Sequence, residues 1–436
     1  MNALLPYMIV DAGLVLAIAV LSARRITFFH PLTFYLFFHA FAFSLRAFEL
    51  YNGKYPMYFG LNSYAYYSAV TVDEFVRGLI VADVSLLLFA IGCFAAGATP
   101  TRPRVVQPFN DKLLRIFLMT LLPISFGLLA YRRFGGDEAQ DLLGEYDLLP
   151  IIGGVWPIAL VALGIVRYGA RWPWVVAAAV YFAFVGTQGY HRFQLLLPII
   201  MLFGIYLARR RYAWPGPAAL AVLMAAAIIF PSLKPFGTAV QKEGLAAGVQ
   251  TVFETQQGLG DPYASRTDMF FDQFAGSMTL TDALGSPLLG QSYLALLTLP
   301  IPRALWPDKP SLGATAVAIS APGRPFQQEG RIVTVIGESY LNFGYVGILI
   351  IMSGLGYFLT RLYRRAFSIP ELDPYKVAYI GFMTSYLQAF RDGLLSLVLF
   401  SLIAMGPLFI FTFLNRRANK KAGARLDGGG RVLATA

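Results

Sequence analysis

Charged residues are scarce in this chain, and cysteine is nearly absent. Asp, Glu, Lys and Arg make up 14% of the 436 residues, whereas hydrophobic residues make up 57%. A soluble globular protein carries about 25% charged and about 45–50% apolar residues, so this composition excludes a soluble enzyme and a disordered chain. The single cysteine, Cys93, cannot form an internal bridge, which excludes a disulfide scaffold. The composition predicts an integral membrane protein.

The sequence also lacks the common signatures of soluble catalytic sites. Its three histidines, His30, His39 and His191, show no metal-ligand spacing, so we predict neither a bound metal nor a cofactor. It contains no Gly-rich phosphate loop followed by Lys and Ser or Thr, and no Gly-x-Ser-x-Gly nucleophile elbow. These absences argue against ATP-driven transport and against zinc-dependent hydrolysis.

Long apolar runs are present instead. A spanning helix needs about 20 mainly apolar residues. Eleven runs are candidates, at residues 3–22, 27–48, 76–98, 113–131, 150–166, 173–187, 193–208, 213–231, 332–359, 375–390 and 394–414. The sixth and the tenth are short for a span. No Lys or Arg precedes the first run, and Arg24 and Arg25 follow it, so it is not a signal peptide and the N-terminus is predicted outside.

Basic residues fall mainly in alternate loops, where cytoplasmic segments concentrate Lys and Arg. This pattern predicts an all-α polytopic protein with its C-terminus inside. Helices 1–8 occupy residues 1–231, a large outer loop occupies 232–331, helices 9–11 occupy 332–417, and a disordered cytoplasmic tail occupies 418–436. The net charge of +11 therefore orients the chain and does not indicate a nucleic-acid partner.

The outer loop is far longer than a connection needs. It is rich in Gly, Pro and Gln, but it also contains Phe270, Phe271, Phe274 and Trp306. These large aromatic residues indicate a folded element of the outer face and not a linker.

Arginines on the outer side, where few are expected, are the candidates for chemistry. Arg192 ends the short turn 186–192 between two spans. Its guanidinium could clamp a phosphate bidentately or extend to lipid headgroups. Arg266 heads an apolar helical face; it is interpreted either as a substrate ligand or as the salt-bridge partner of Asp268 or Asp272.

Two further candidates flank the last spans. Glu338 and Asn342 share a helical face near the outer end of the ninth span, and an ionisable group at that depth is a functional hypothesis. Glu338 could accept a proton from an incoming hydroxyl or pair with Arg331. Arg391 and Asp392 form the turn between the last two spans. They could neutralise each other, or Asp392 could orient Arg391 toward a second phosphate.

Proline-rich residues 299–310 contain Arg303, for which a structural brace is the favoured interpretation. Arg324 and Arg331 lie just before the ninth span and could serve a polar substrate. Arginines beside an outer-leaflet opening suit a lipid-linked diphosphate, because their attraction grows as the leaving group develops charge. Such a reaction requires no metal.

Two motifs carry a family resemblance. They are Ile301-Pro302-Arg303 followed by Trp306-Pro307-Asp308-Lys309-Pro310, and Gly337-Glu338-Ser339-Tyr340-Leu341-Asn342-Phe343-Gly344. Together with many spans and a late, large outer loop, they resemble the bacterial oligosaccharide repeat unit polymerases (Wzy-type O-antigen and exopolysaccharide polymerases). The resemblance implies a GT-C-like membrane glycosyltransferase fold. It also implies transfer of a growing glycan from undecaprenyl diphosphate to the non-reducing end of a new lipid-linked repeat unit.

The resemblance further implies roles for individual residues. Arg192, Arg266 and Arg391 become diphosphate ligands, and Glu338 becomes a base or an acceptor orienter. Substrate binding is assigned to His191, Arg303, Arg324, Arg331, Tyr340, Asn342 and Asp392. The expected location is the bacterial inner membrane with a periplasmic active site. The expected partners are the lipid-linked oligosaccharide, membrane lipids and a chain-length regulator protein.

Three other functions compete with this hypothesis. The related O-antigen ligases carry a His-Asn-x-Tyr-Leu-like element, whereas residues 337–341 contain no histidine, which favours a polymerase. A flippase or transporter for lipid-linked sugars would need internal repeats and ionisable residues along a path, and the mid-span candidates are chiefly Asp11 and Asp83. A non-catalytic scaffold would leave the outer arginines unexplained.

Overall fold

In the computed structural model the chain is helical, and no strand occurs among the described residues. The described residues are 2–52, 71–100, 104–134, 149–186, 193–221, 233–258, 269–285, 287–298, 301, 305–306, 334–394, 397–398, 401 and 404–429. The helices are α1 (Leu5–Ser22), α2 (Pro31–His39), α3 (Leu45–Tyr51), α4 (Val72–Ala98), α5 (Asp111–Phe134), α6 (Leu149–Tyr168), α7 (Trp172–Gly186), α8 (Phe193–Arg210), α9 (Leu233–Glu243), α10 (Leu245–Gly258), α11 (Met269–Leu284), α12 (Gln291–Leu297), α13 (Thr334–Ala366), α14 (Pro374–Thr384), α15 (Tyr386–Asp392) and α16 (Gly406–Gly429).

Four of the described helices are long and apolar enough to cross a membrane: α1, α4, the Asp111–Tyr131 part of α5, and α13. Gly153–Tyr168 and Trp172–Gly186 form shorter apolar helices. Helices satisfy their own backbone hydrogen bonds, which lipid cannot do. The architecture is therefore that of a helical membrane protein, as the composition predicts. The number of eleven spans and the orientation stay predictions.

Two predicted spans differ in the structure. The predicted span 375–390 is divided, because α14 ends at Thr384 and α15 begins only at Tyr386. Within the predicted last span, residues 397, 398 and 401 are π-helical, and α16 begins at Gly406 and continues to Gly429, into the tail predicted to be disordered. Ala, Lys and Arg dominate the first part of that tail, and these residues favour a helix that is already nucleated.

The chain forms two compact units, each built from separate stretches of sequence. The first contains Met1–Pro100, Gln250–Arg364 and Ser385–Val398, and the second contains Thr101–Val249, Arg365–Thr384 and Leu399–Ala436. These units do not follow the contiguous ranges that hydropathy predicts. All the candidate site residues that the structure describes belong to the first unit.

Local signals fix where the helices of the first unit begin. Thr71 caps α4 through a reciprocal capping box: its hydroxyl accepts the Glu74 N–H at 3.3 Å, and the Glu74 carboxylate accepts the Thr71 N–H at 2.6 Å. The α2 helix starts with Pro31, and His30 Nδ1 accepts the Leu32 N–H at 3.1 Å. Both helices therefore have defined N-termini.

Aromatic side chains form the core of the first unit. The Tyr35 ring of α2 stacks on Phe89 of α4 with centroids 4.4 Å apart, and it meets Phe390 of α15 edge-on at 4.9 Å. Phe43 packs edge-on against Phe271 of α11 at 5.7 Å. Such pairs contribute about 0.5–1.5 kcal/mol each beyond the area they bury. Because α11 lies within the predicted outer loop, part of that loop packs into this core.

Glycines bring α4 and α13 into close contact. A Cβ atom on Gly92 would collide with the Ser353 carbonyl, and one on Gly356 would collide with the Phe89 carbonyl. Small residues allow this approach between membrane helices. The α13 helix also bends at Gly344, whose φ of 61° lies in the left-handed region that glycine adopts without strain.

The second unit packs α5, α6, α14 and α16 together. The Phe411 ring lies 5.9 Å from that of Phe109 and 5.6 Å from that of Phe117. Arg104 forms an ion pair with the buried Asp373. This unit contains none of the described candidate site residues.

Candidate functional site

Glu338 lies in the N-terminal part of α13, and its carboxylate is buried, with 3% of the residue exposed. Its Oε2 atom accepts the Leu394 N–H at 2.6 Å, and its Oε1 atom accepts the Ser292 hydroxyl at 3.4 Å. Gly393 lies directly against the carboxylate, where a Cβ atom would collide with it. Glu338 therefore joins α12 and the turn after α15 to α13.

Asn342 lies one helical turn after Glu338, as the sequence spacing predicts. Its Nδ2 atom donates to Ser292 Oγ at 2.6 Å and to the Glu338 carbonyl at 2.8 Å. The helix begins at Thr334, whose hydroxyl accepts the Gly337 N–H at 3.2 Å. Asn342 is fully buried, and in this conformation it positions the neighbouring groups.

Arg391 and Asp392 end α15, and Gly393 terminates the helix with a φ of 90°. Arg391 Nε lies 3.2 Å from Asp392 Oδ1, and each side chain is 25% exposed. The guanidinium carbon lies 5.6 Å from the centroid of the Phe270 ring of α11. Asp392 also accepts a hydrogen bond from Gln388. Arg391 and Asp392 form an ion pair, and this pair is partly exposed.

These groups meet around one glycine. Arg391 and Asp392 immediately precede Gly393, which rests on the Glu338 carboxylate, while Phe270 lies under the guanidinium. We call Phe270, Glu338, Arg391, Asp392 and Gly393 the Gly393 site. Its Arg391 guanidinium lies beside Asp392, and the glycine that follows them lies against the Glu338 carboxylate. A guanidinium is a group that can bind an anion such as a phosphate.

Tyr340 belongs to a different cluster on α13. Its hydroxyl donates to Asp282 Oδ1 at 2.9 Å and accepts from Arg77 Nη2 at 2.5 Å. Arg77 also pairs with Asp282 and donates to Tyr345 at 3.0 Å. Partial burial raises the pKa of Asp282, but the hydrogen bonds from Arg77 and Tyr340 outweigh it, so its pKa lies below the usual value.

Arg46 and Asp272 form a buried ion pair that the sequence analysis missed. Arg46 Nε lies 3.1 Å from Asp272 Oδ1 and Nη2 lies 3.0 Å from Oδ2, and only 3% of Arg46 is exposed. Arg46 also donates to Glu49 at 3.2 Å. Asp272 is one of the two partners considered for Arg266. The two residues of the pair are 226 positions apart, so no local pattern could have found it.

Six residues assigned from the sequence lie outside the described part of the chain. They are His191, Arg192, Arg266, Arg303, Arg324 and Arg331. Their roles as diphosphate ligands or substrate contacts stay predictions.

A second group of ionisable residues meets inside the first unit. His39 Nε2 lies 2.8 Å from Asp11 Oδ1 and 3.4 Å from Asp83 Oδ1, and the three atoms lie within 4.8 Å of one another. Sequence spacing missed this cluster because α1, α2 and α4 each contribute one residue. The sequence did carry one indication of this cluster. All three ionisable residues fall within predicted spans, where such residues are rare.

This cluster does not fit a metal ion. A metal bound to Nε2 would leave the imidazole hydrogen on Nδ1, where metal-bound histidines usually donate it to an acceptor. His39 Nδ1 is buried and has no partner among the described residues. A buried N–H without an acceptor costs about 1–3 kcal/mol.

In comparisons with known proteins, no family model, no curated protein and no solved structure matches the chain. The function is therefore argued from the residues themselves.

Proposed function

We propose that this chain is a membrane glycosyltransferase that polymerises undecaprenyl diphosphate-linked oligosaccharide repeat units. The product would be O-antigen, capsule or exopolysaccharide, made at the periplasmic face of a bacterial inner membrane. The observation that carries the proposal is the Gly393 site, where Arg391 and Asp392 immediately precede a glycine that rests on the Glu338 carboxylate. Glu338 belongs to the motif of residues 337–344 on which the family resemblance rests.

In this reaction a hydroxyl oxygen of the acceptor sugar attacks the anomeric carbon of the donor glycan. A new carbon–oxygen bond forms, the bond to the phosphate oxygen breaks, and undecaprenyl diphosphate leaves as an anion. The hydroxyl proton passes to a base. Arg391 binds the diphosphate more strongly as its negative charge develops, which lowers the barrier. Asp392 orients Arg391 through the contact with Nε.

The contacts of Glu338 favour a positioning role over a role as base. Both of its carboxylate oxygens already accept hydrogen bonds from the protein, from Leu394 and Ser292. Glu338 therefore fixes the turn that follows Arg391. The family resemblance also assigns Arg192 and Arg266 to the diphosphate, and these two assignments stay predictions.

The clamp is tested by replacing each arginine. Arg192→Ala, Arg266→Ala and Arg391→Ala should each abolish polymer while leaving the protein in the membrane. Arg167→Ala is the matched control, because Arg167 forms an exposed pair with Asp111 in the other unit. Normal long chains on gels from two of the three variants would contradict the clamp.

A transporter for lipid-linked sugars is the second candidate. The observation that favours it is the Asp11–His39–Asp83 cluster, because intramembrane ionisable residues often line proton or substrate paths. Purified protein in vesicles distinguishes the two functions, since a transporter moves the lipid-linked unit across the membrane without elongating it.

A further inference from the structure

The Asp11–His39–Asp83 cluster takes no part in the proposed transfer reaction, yet it brings three buried ionisable residues together among the described membrane helices. Asp11 is 2% exposed, His39 is fully buried and Asp83 is 8% exposed. Asp11 and Asp83 lie in α1 and α4, two of the candidate spans. Charges at such depth are expensive unless they are compensated.

The contacts of His39 show where its hydrogen lies. Nδ1 has no acceptor among the described residues, whereas Nε2 lies 2.8 Å from Asp11 Oδ1. A doubly protonated ring would bury an N–H group without an acceptor, and such groups are rare in native proteins. These contacts favour a neutral His39, with one hydrogen on Nε2 that it donates to Asp11.

The single hydrogen on Nε2 cannot form a hydrogen bond to both carboxylates. Asp83 Oδ1 is also close to Nε2, at 3.4 Å, but it has no hydrogen-bond donor in the described part of the chain. Nor does any described lysine or arginine form an ion pair with Asp11 or Asp83. Two carboxylates this close cannot both stay ionised in a buried site.

Among the described residues, the surrounding elements supply no compensating charge. The π-helical turn Ala40–Ser44 places the Ser44 hydroxyl beside Asp11, and α2 contributes the buried Tyr35 hydroxyl. On α3 and α11, Arg46 is engaged by Asp272 and by a second carboxylate on its own helix. The remaining excess of negative charge requires a proton.

We propose that Asp11 and Asp83 form an intramembrane proton-binding site, in which one proton is shared between the two carboxyl groups beside a neutral His39. Asp83 is the member through which the proton exchanges, because its side chain is 12% exposed while that of Asp11 is 2% exposed. This proposal does not rest on the proposed glycosyltransferase activity.

The site also links proton binding to helix packing. Asp11 is one of only three buried residues that α1 contributes, with Ile18 and Ser22. Loss of the shared proton would leave two facing carboxylates on α1 and α4, and their repulsion would weaken this contact. A π-helical turn directly follows His39, and such turns occur frequently at functional sites.

Infrared difference spectroscopy of the purified full-length chain in lipid nanodiscs tests the proposal. The native protein at neutral pH should show the carbonyl band of a protonated carboxyl group. Labelling the aspartates alone with carbon-13 should shift this band, and this test needs no variant. An unshifted or absent aspartic acid band would overturn the proposal.

Variants then assign the proton to the cluster. Asp11→Asn and Asp83→Asn keep the side-chain shape, and each should remove the aspartic acid band. Asp373→Asn is the matched control, since Asp373 is equally buried but forms an ion pair with Arg104, and this variant should leave the band unchanged. A band that persists in both cluster variants would contradict the proposal. An equimolar bound metal that disappears in His39→Ala would also contradict it.

Discussion

At the residue scale, Gly393 determines how the candidate site is assembled. Its φ of 90° ends α15, and the absence of a side chain lets the turn rest directly on the Glu338 carboxylate. Any other residue would meet both backbone strain and a collision with Glu338. One glycine thus brings the turn that follows Arg391 and Asp392 against a carboxylate from another helix.

The role of Glu338 can be separated into positioning and proton transfer. Glutamine can accept the Leu394 N–H and meet the Ser292 hydroxyl, but it cannot act as a base at neutral pH. Because both oxygens already bond to the protein, we expect Glu338→Gln to keep polymerising activity within about tenfold. Glu338→Ala should lose activity at least about a hundredfold, as general base or positioning losses typically do.

The measurement is the initial rate of elongation by purified variants, with insertion in the membrane checked for each. Equal loss of activity in Glu338→Gln and Glu338→Ala would assign Glu338 to proton transfer and contradict the positioning role.

Some residue contacts follow from the sequence and others do not. The neighbouring pair Arg391 and Asp392, and the spacing of Glu338 and Asn342, are local patterns that helical geometry makes predictable. The bond between Glu338 and Leu394 depends on packing between separate stretches, and a single sequence carries no signal for it. For the same reason, a single sequence does not predict the contacts among Asp11, His39 and Asp83.

At the element scale, the Arg46–Asp272 pair joins α3 to α11. Removing one member of a buried pair leaves an uncompensated charge, which costs about 3–5 kcal/mol. Glu49 still contacts Arg46, so Asp272→Ala should lower the free energy of unfolding by about 3 kcal/mol.

The control is the Arg167–Asp111 ion pair, which has similar geometry but lies at the surface. Asp111 accepts two hydrogen bonds from Arg167, but both side chains are more than 40% exposed, at 41% and 42%. Asp111→Ala should change stability little. Denaturant unfolding of both variants compares the pairs, and similar losses in the two would contradict the role given to burial.

The contact between α4 and α13 is tested by two glycines on the same helix. A side chain at Gly356 would collide with the Phe89 backbone, whereas Gly354 has open space around its Cβ position. Gly356→Leu should destabilise the protein by about 1–3 kcal/mol or more, as overpacking does. Gly354→Leu should have a much smaller effect on the melting temperature. A reversed order of melting temperatures would show that this close approach does not occur.

The helix boundaries show which parts of the fold hydropathy predicts and which it does not. Apolar length predicts α1, α4 and most of α5 within a few residues, because lipid requires such runs. It does not predict the break at Ser385 or the continuation of α16 to Gly429, since these depend on packing. Four helices, α9 to α12, fall in the predicted outer loop. The apolar helical face headed by Arg266 indicates α11, whereas mixed composition does not reveal the other three.

At the scale of the whole molecule, the chain is a helical membrane protein whose described candidate residues gather in one unit. That unit is built from three separate stretches of sequence, so hydropathy alone could not define it. The composition predicts the protein class because too few charges are available to cover a surface in water. The grouping of Glu338 with Arg391 required the folded arrangement.

The central claim is polymerisation of lipid-linked repeat units without a metal or a nucleotide sugar. The most direct measurement incubates the purified chain in lipid with undecaprenyl diphosphate-linked repeat units alone and follows product length on gels. The account predicts a ladder of elongated glycans and release of undecaprenyl diphosphate, both lost in Arg391→Ala and retained in Arg167→Ala. Translocation of the lipid-linked unit without any elongation would contradict it.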